Sequence, residues 1–572
     1  MTRLNLFNPR SVPLSRRGSW LCVSWIAKDS AFWLRHLRGG DEHTDLGRLF
    51  KLLPLDGEGR AVHGTWSLRP DSLSFHAEGG ELHLAFADGD TLALQGRGLG
   101  LRLTLQSKRY DYAQRLSEQA VHVSCASQDL SARVALGEGA LQLDAPWQGQ
   151  RAERIALDLR PDAAGAVAAS VHLYRVMPAR SDVASFETAR ADAAADFEAW
   201  LDQTLAVDEG LQPLRRLAAY ITWSCIVPAE GRLHYPAMYM SKNWMTNIWS
   251  WDHCFNALAL AAQQPELAWQ QLAVLFELQH ESGRLPDFAN DLQAYWRFTK
   301  PPVHGWTVAQ LRRQSAWTLE RSTQMHDWLA AQARSWLATA PEGGLPAYDH
   351  GNDAGWDNAT VFLQGTPLQS PDLSSFLILQ LEELAALAEG LSRPEQARDW
   401  GKQADALFER LMSQLWTGER FVARLADGTV VEDGDSLIAY TPLLLGSRLP
   451  AAIREQLLAE VFEPGRFLST HGLATESQRS PHYRADGYWR GPIWAPTTML
   501  FVDAMDRCGR PDLGDELARR FTAMCAGIGA TGGLAENFDA QSGAPLRDPA
   551  FTWTSSVALL LGHRLLKKKN MP

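Results

Sequence analysis

At 572 residues and a formal net charge of −11, the chain is long enough for about two or three domains with a large buried core. Its acidic balance, with no basic run longer than Lys567, Lys568 and Lys569, excludes a nucleic-acid groove. No apolar run approaches the roughly 18 residues of a membrane span. The six cysteines lack CxxC or CxxxC spacing, which points away from a zinc site or a disulfide framework. With no cofactor, calcium or other metal motif, an acidic, soluble, cytoplasmic enzyme is expected.

Arg3, Arg10, Arg16 and Arg17 precede an apolar stretch from Trp20 to Ala27 that Ser24 interrupts, a poor signal peptide. From about residue 15 to 177 apolar residues recur at every second position between turn clusters, the period of half-buried strands. Leu82, Leu84 and Phe86 alternate, Asp88-Gly89-Asp90 turns the chain, and Leu92 and Leu94 resume. Leu99, Leu101, Leu103 and Leu105 repeat the pattern, as do Val171 and Leu173. Many short antiparallel strands imply a β-sandwich over residues 1–180.

Residues 181–210 turn rich in alanine and acids, with Phe186, Phe197, Trp200 and Leu201 at helical spacing, and read as a linker helix. Beyond Leu211 the period becomes 3.6; Ala397, Trp400, Ala404, Leu407, Leu411 and Leu415 form one helix face. Helix starts are predicted near 212, 252, 266, 305, 319, 373, 393, 436, 450, 493, 510 and 551. Six such hairpins, with alternate helices forming an inner ring, would make an (α/α)6 barrel over residues 211–572. Its pocket would be built by the loops entering the inner helices. A solenoid of hairpins has the same periodicity. The fold class expected is therefore α+β multidomain.

The chain holds 22 tryptophans. A pyranose has apolar C–H faces and hydroxyl edges, so it is held by flat aromatic rings together with carboxylates, amides and arginines, although most tryptophans of any protein fill its core. Four loops join aromatics to charged or amide groups beside a predicted helix. They are Asn247-Ile248-Trp249-Ser250-Trp251-Asp252-His253; Asn352-Asp353-Ala354-Gly355-Trp356-Asp357-Asn358, after Tyr348 and His350; Gly487-Tyr488-Trp489-Arg490-Gly491-Pro492-Ile493-Trp494; and Gly532-Gly533-Leu534-Ala535-Glu536-Asn537-Phe538-Asp539, before Phe551-Thr552-Trp553-Thr554.

At these loops, in matching order over about residues 240–560, the sequence resembles the clan of (α/α)6 glycosidases that holds glycoside hydrolase family 63 and the trehalases of family 37. It is more similar to the bacterial exo-α-glycosidases of family 63, which usually carry an N-terminal β-sandwich. Pro301-Pro302 with Trp306 and Pro371-Asp372-Leu373-Ser374-Ser375-Phe376 extend the match. The resemblance implies an exo-acting, inverting α-glycosidase with Asp357 as general acid and Glu536 as general base. It also implies that Trp249, Trp251 and Asp252 contact the terminal sugar, with Trp356, Tyr488, Trp489, Arg490, Trp494 and Trp553 completing the subsite.

Two departures from the pattern bear on the aglycone. After the acid the chain runs Asn358-Ala359-Thr360-Val361-Phe362, without the serine, proline or arginine of those families or the arginine cluster of a trehalase. At the Pro-Pro loop, Lys300 precedes the prolines and His304 follows them, where a glutamine is often found. Lys300 either meets an anionic aglycone such as glycerate or simply faces solvent.

Glycoside cleavage needs a proton on the leaving oxygen and a nucleophile at the anomeric carbon, and a pair of carboxyl groups supplies both. In the inverting geometry the pair stands roughly 6.5–9.5 Å apart, leaving room for a water. Asp357 should hold its proton under apolar cover from Trp356. Glu536 should stay ionised, helped by amides around Gly532 and Gly533 or by the Asn537 side chain. Asp353 is the rival acid, or else only caps its loop; Asp252 is a sugar contact or an N-cap, and Arg490 a sugar contact or the partner of Asp486.

The partner expected is a small carbohydrate, an α-glucoside, oligosaccharide, glucosylglycerate or mannosylglycerate. Oligomeric state is not written in the pattern. A sugar isomerase or epimerase would rely instead on histidines such as His253, His304, His350, His471 and His482. A silent carbohydrate-binding protein would tolerate loss of Asp357 or Glu536, and a phosphorylase would dispense with the base.

Overall fold

A computed structural model of the chain describes residues 6–42, 46–178, 182–529 and 533–570. Arg3, the boundary at 180–181 and Gly532 lie outside the described residues. The first part is β-rich. One antiparallel sheet has the spatial order Leu21–Ile26, Ala31–His36, Arg48–Leu55, Gly100–Leu105, Ile155–Arg160 and Ala140–Asp144. The other runs Thr65–Leu68, Leu73–Ala77, Gly80–Phe86, Thr91–Arg97, Ala166–Tyr174, Leu130–Glu138, Ala120–Cys125 and Tyr112–Ser117. Alternation sets which face is buried: Leu101, Leu103 and Leu105 are buried while Arg102 and Thr104 are partly open. Leu103 lies opposite Leu52 on one side and Leu157 on the other. The apolar stretch after the N-terminal arginines is the strand Leu21–Ile26, paired with Ala31–His36.

Helix α1 (Phe186–Asp202) starts at Ser185, whose side chain accepts the Thr188 amide. It buries Phe186, Ala189, Ala193, Phe197 and Trp200 and packs on the strands Gly80–Phe86 and Thr91–Arg97. Leu201, expected on that face, is only partly buried.

The helical part consists of α2 (Gln212–Ser224), α3 (Asp252–Leu260), α4 (Pro265–Phe276), α5 (His304–Gln314), α6 (Leu319–Leu337), α7 (Pro371–Gly390), α8 (Pro394–Leu415), a 3₁₀ segment (Leu437–Arg448), α9 (Ala451–Val461), α10 (Ala495–Arg507), α11 (Pro511–Gly529) and α12 (Thr552–Lys569). Each start lies within two residues of its sequence-based position. The one departure in type is Leu437–Arg448, where Pro442 lacks an amide hydrogen and Gly446 leaves helical geometry at φ 55°, ψ −121°.

Packing closes a ring: α3 contacts α5, α5 contacts α7, α7 the 3₁₀ segment, that segment α10, α10 contacts α12, and α12 returns to α3. The remaining helices lie outside it, α8 against α7, α11 against α10 and α12, and α2 against α12. The sequence reflects the two layers. Outer α8 buries only its stripe Ala397, Trp400, Ala404, Leu407, Leu411 and Leu415, whereas inner α7 is buried almost throughout. No helix among the described residues is long and apolar enough to cross a membrane.

Candidate active site

The segments entering five of the six ring members converge on one cavity of about 250 Å³. Two short three-stranded sheets frame it. In the first, Ile248–Trp249 pairs with Phe288–Ala289 and that with Ala294–Tyr295. In the second, Ile493–Trp494 pairs with Asn537–Phe538 and that with Pro545–Leu546. The second pairing joins the Tyr488-Trp489 loop to the Glu536 loop, which sequence alone keeps far apart.

Of the residues singled out from sequence, Trp249, Trp251, Asp252, Lys300, Asp357, Tyr488, Trp489, Glu536 and Trp553 line the cavity. Asp357 comes from the connection before α7 and Glu536 from the one before α12, opposite positions in the ring. Trp356, Arg490, Trp494 and His304 are not in the lining. Trp494 lies behind Trp489, ring centroids 3.9 Å apart and planes nearly parallel, and Trp356 packs on Trp489 at 5.0 Å. These two buttress the wall. Trp494 also donates its indole N–H to the Tyr488 carbonyl at 3.0 Å, and Trp553 donates to the Glu536 carbonyl at 3.1 Å.

His304 is buried in α5 between the Ser250 carbonyl (3.0 Å) and the Gln332 amide (3.0 Å), and burial pushes its pKa down to about 4. His253 is likewise held neutral by burial, its pKa down to about 3. No histidine is among the described residues that line the cavity. Asp486 pairs with Arg547 at 2.7 Å rather than with Arg490.

Asp252 is the first residue of α3, one past the N-cap position, which Trp251 occupies. Its carboxyl faces the cavity, and burial holds its pKa well above the usual carboxylate range, reinforced by Asp287 and Glu536 and opposed by Lys300. Asp353, the rival acid, is buried and fully occupied: Oδ1 accepts the Thr299 amide at 2.9 Å and Oδ2 the His350 amide at 3.1 Å, with Arg284 at 3.5 Å. It is the loop's cap. Gly355 follows with φ +69°, and a Cβ there would meet the Trp251 ring at 2.7 Å, so only glycine passes that point.

Asp357 has a side chain about one-third exposed to the cavity. Burial raises its pKa, Lys300 at 3.9 Å opposes the rise, and Asp287 adds to it. Glu536 is pushed up to about 8 by burial and by Asp548, against a Tyr488 hydroxyl that donates to Oε1 at 3.3 Å. The shift runs against the sequence-based expectation of an ionised Glu536. The Asn537 side-chain amide, expected to help hold the charge, is buried without a hydrogen-bond partner among the described residues. Tyr488 itself sits at φ 62°, a left-handed conformation costly for a bulky residue.

Lys300 does not face solvent; it is 5% exposed. Its ammonium lies 3.1 Å from Asp287 and donates to the Asn352 carbonyl at 2.9 Å and to the Asn352 side chain. Asn352 in turn donates to Asp287 Oδ2 at 2.9 Å. A buried lysine survives because this set neutralises and hydrogen-bonds it. The segment after Asp357 is an internal clamp. Asn358 accepts the Trp489 amide at 2.9 Å and donates to the Gly487 carbonyl at 3.1 Å, while Thr360 donates to Glu476 at 2.8 Å.

Sequence reasoning missed Asp41, Met245, Asp287 and Phe288 in the lining, and gave no individual role to Asn352, Gly355 and Phe551 of the loops it singled out. Asp287 precedes Phe288, so the rule of an acid beside an aromatic would have selected it. Asp41 carries no such signal.

Residues 245–554 match the mannosylglycerate hydrolase MGH1-like glycoside hydrolase domain family. The glucosylglycerate hydrolase of Mycolicibacterium hassiacum is 25% identical over 55% of this chain and 91% of its own length. A mannosylglycerate hydrolase of Thermus thermophilus, solved with glucose, aligns over 61% of this chain and 99% of its own at 19% identity and TM-score 0.52. A bacterial glucoamylase solved with acarbose shares the fold over 98% of this chain and 95% of its own, at 10% identity and TM-score 0.65.

Proposed function

This chain belongs to the mannosylglycerate hydrolase MGH1-like family of glycoside hydrolases, and from that premise we propose that it is an exo-acting, inverting α-glycosidase with Asp357 as general acid and Glu536 as general base. The reading rests on one observation: both carboxyl groups open, from opposite positions of the helical ring, into a single cavity walled by Trp249, Trp251, Trp489 and Trp553. Asp357 protonates the departing glycosidic oxygen while Glu536 removes a proton from a water attacking the anomeric carbon on the other face. Opposed positions suit a pair that must leave room for that water.

The cavity volume supports exo action, because about 250 Å³ falls below the roughly 300–1,000 Å³ of pockets for drug-sized ligands and suits one sugar ring. Asp252 accepts hydroxyls of that ring, and Asp353 serves only its loop. The substrate is a small α-glucoside or oligosaccharide. The relatives named for glucosylglycerate and mannosylglycerate, and a lysine 3.9 Å from the acid on the leaving-group side, make a glycosylglycerate the first compound to try. The proposal includes a β-sandwich over residues 1–180, a linker helix over 181–210, an (α/α)6 barrel over 211–572, and a cytoplasmic location, consistent with six free cysteines.

The test is a screen of α-linked disaccharides and glycosylglycerates beside Asp357→Ala and Glu536→Ala variants, with the product anomer followed by NMR. An initial product of inverted configuration and loss of activity in both variants are expected. A retained anomer would sink the mechanism, full activity in either variant the site, and glucose 1-phosphate in place of glucose the hydrolysis.

A further inference from the structure

Among the described residues that line the cavity, Asp41 alone comes from the β-rich part; the others lie at residue 245 or beyond. The family match begins at 245, and the Thermus enzyme aligns with 61% of this chain. The segment bearing Asp41 is docked rather than merely adjacent. Arg38 is paired with Glu230 at 2.9 Å, and the Gly39 amide donates to Asp291 Oδ1 at 2.8 Å. Gly40, at φ +67°, lies so close to the Asn247 and Asn290 amides that a Cβ would stand 1.7 Å from Asn247 Oδ1. Asn290 donates to Asn247 Oδ1 at 3.0 Å, and Asn247 donates to Asp41. These two asparagines sit together at one end of the strand pair of Ile248–Trp249 with Phe288–Ala289, so Asp41 is fixed to the wall on which Trp249 and Phe288 stand.

We propose that Asp41 is a substrate-binding residue, a carboxylate delivered by the N-terminal part to accept a hydrogen bond from a sugar hydroxyl in the cavity. An ionised carboxylate only accepts, and has about four lone-pair sites. Asn247 fixes its orientation, and a further group that it meets in the cavity as an ionised carboxylate is a donor: a hydroxyl, not the carboxylate of an anionic aglycone. The inference rests on the cavity being the glycoside site.

The experiment compares wild type, Asp41→Ala and Asp41→Asn on the best glycoside and on its monodeoxy analogues. Asp41→Ala is expected to lower kcat/KM at least tenfold, through KM, with unchanged melting temperature. That loss should shrink to within twofold on the one analogue lacking the partner hydroxyl. The deoxy comparison is internal to each variant, so partial misfolding does not mimic it. A loss under twofold on every substrate, or an equal loss on every analogue, overturns the assignment. Calorimetric titration with glucose, mannose and their deoxy forms repeats the comparison without turnover. Sugar binding without hydrolysis would sink the hydrolase reading and leave Asp41 assessable, whereas no sugar binding by wild type would overturn both.

Discussion

Replacing Tyr488 by Phe removes one hydroxyl from the wall and one hydrogen bond from Glu536. That bond favours the charged carboxylate, so its loss raises the pKa of Glu536. At 3.3 Å it is long against the roughly 2.7–2.8 Å usual for O–H···O, which puts it at the low end of the about 1.5–3 kcal/mol of hydrogen bonds to charged groups. With about 1.36 kcal/mol per pKa unit, the shift is about one unit, from about 8 to about 9. If Glu536 is the base, kcat/KM falls as pH drops below the limb its free-enzyme pKa sets. At pH 6.5 about one carboxyl in thirty is ionised in the wild type and about one in three hundred in the variant, a tenfold further loss that closes above the limb. The assay is kcat/KM from pH 5 to 10 on a neutral glycoside. Loss of the hydroxyl as a sugar contact lowers the whole curve equally and leaves the limb in place. A limb that stays put or moves down would refute the role of this bond, and a wild-type limb near 5 would refute the raised Glu536.

Glu536→Gln should abolish hydrolysis while stabilising the fold. An acid whose folded pKa is raised loses stability as pH climbs from its unfolded value of 4.5 to about 8, a cost of up to about 5 kcal/mol at pH 8 that glutamine does not carry. The variant's gain in melting temperature over wild type should therefore be larger at pH 8 than at pH 4.5, and an equal gain at both would contradict this. Asp357→Asn should cost about 10²- to 10⁴-fold in rate on an alkyl glycoside and far less on a glycosyl fluoride, whose leaving group needs little protonation. An equal loss on both substrates would remove Asp357 from the acid role. Asp353→Ala leaves the Thr299 and His350 amides unpaired in the interior and should destabilise by about 2–4 kcal/mol, read as an unfolding midpoint in urea; an unmoved midpoint would show that the loop does not depend on it.

How much of this was legible follows from whether the signal is local. Outer α8 declares its buried face because six apolar residues recur at 3.6 spacing against a polar background. Inner α7 is recognisable only from its length and its proline start, since it is buried nearly all round. The 3₁₀ segment was placed correctly and typed wrongly, because Pro442 is permissible in an apolar run whose tertiary packing holds it. The site divides in the same way. Trp251, Asp357, Trp489 and Glu536 stand in short aromatic-polar loops that carry their own pattern, and the cavity gathers all four. Trp494, Trp356 and His304 share that local pattern yet face away from the cavity, since a motif fixes composition but not which side of a loop is buried. The raised pKa of Glu536 was hidden for a related reason: its largest cause is burial, and the second, Asp548, is twelve residues away in sequence and is brought to bear by the pairing of Asn537–Phe538 with Pro545–Leu546. Asp41 is the limiting case. Its neighbours Gly39 and Gly40 look like an ordinary turn, and their purpose becomes visible only against Asn247, Asn290 and Asp291, which belong to the other part of the molecule. A residue whose role is conferred across two parts of the fold leaves no periodicity or motif in either. For that reason the β-rich part of this chain is better understood as a component of the cavity wall than as an appendage to a helical enzyme.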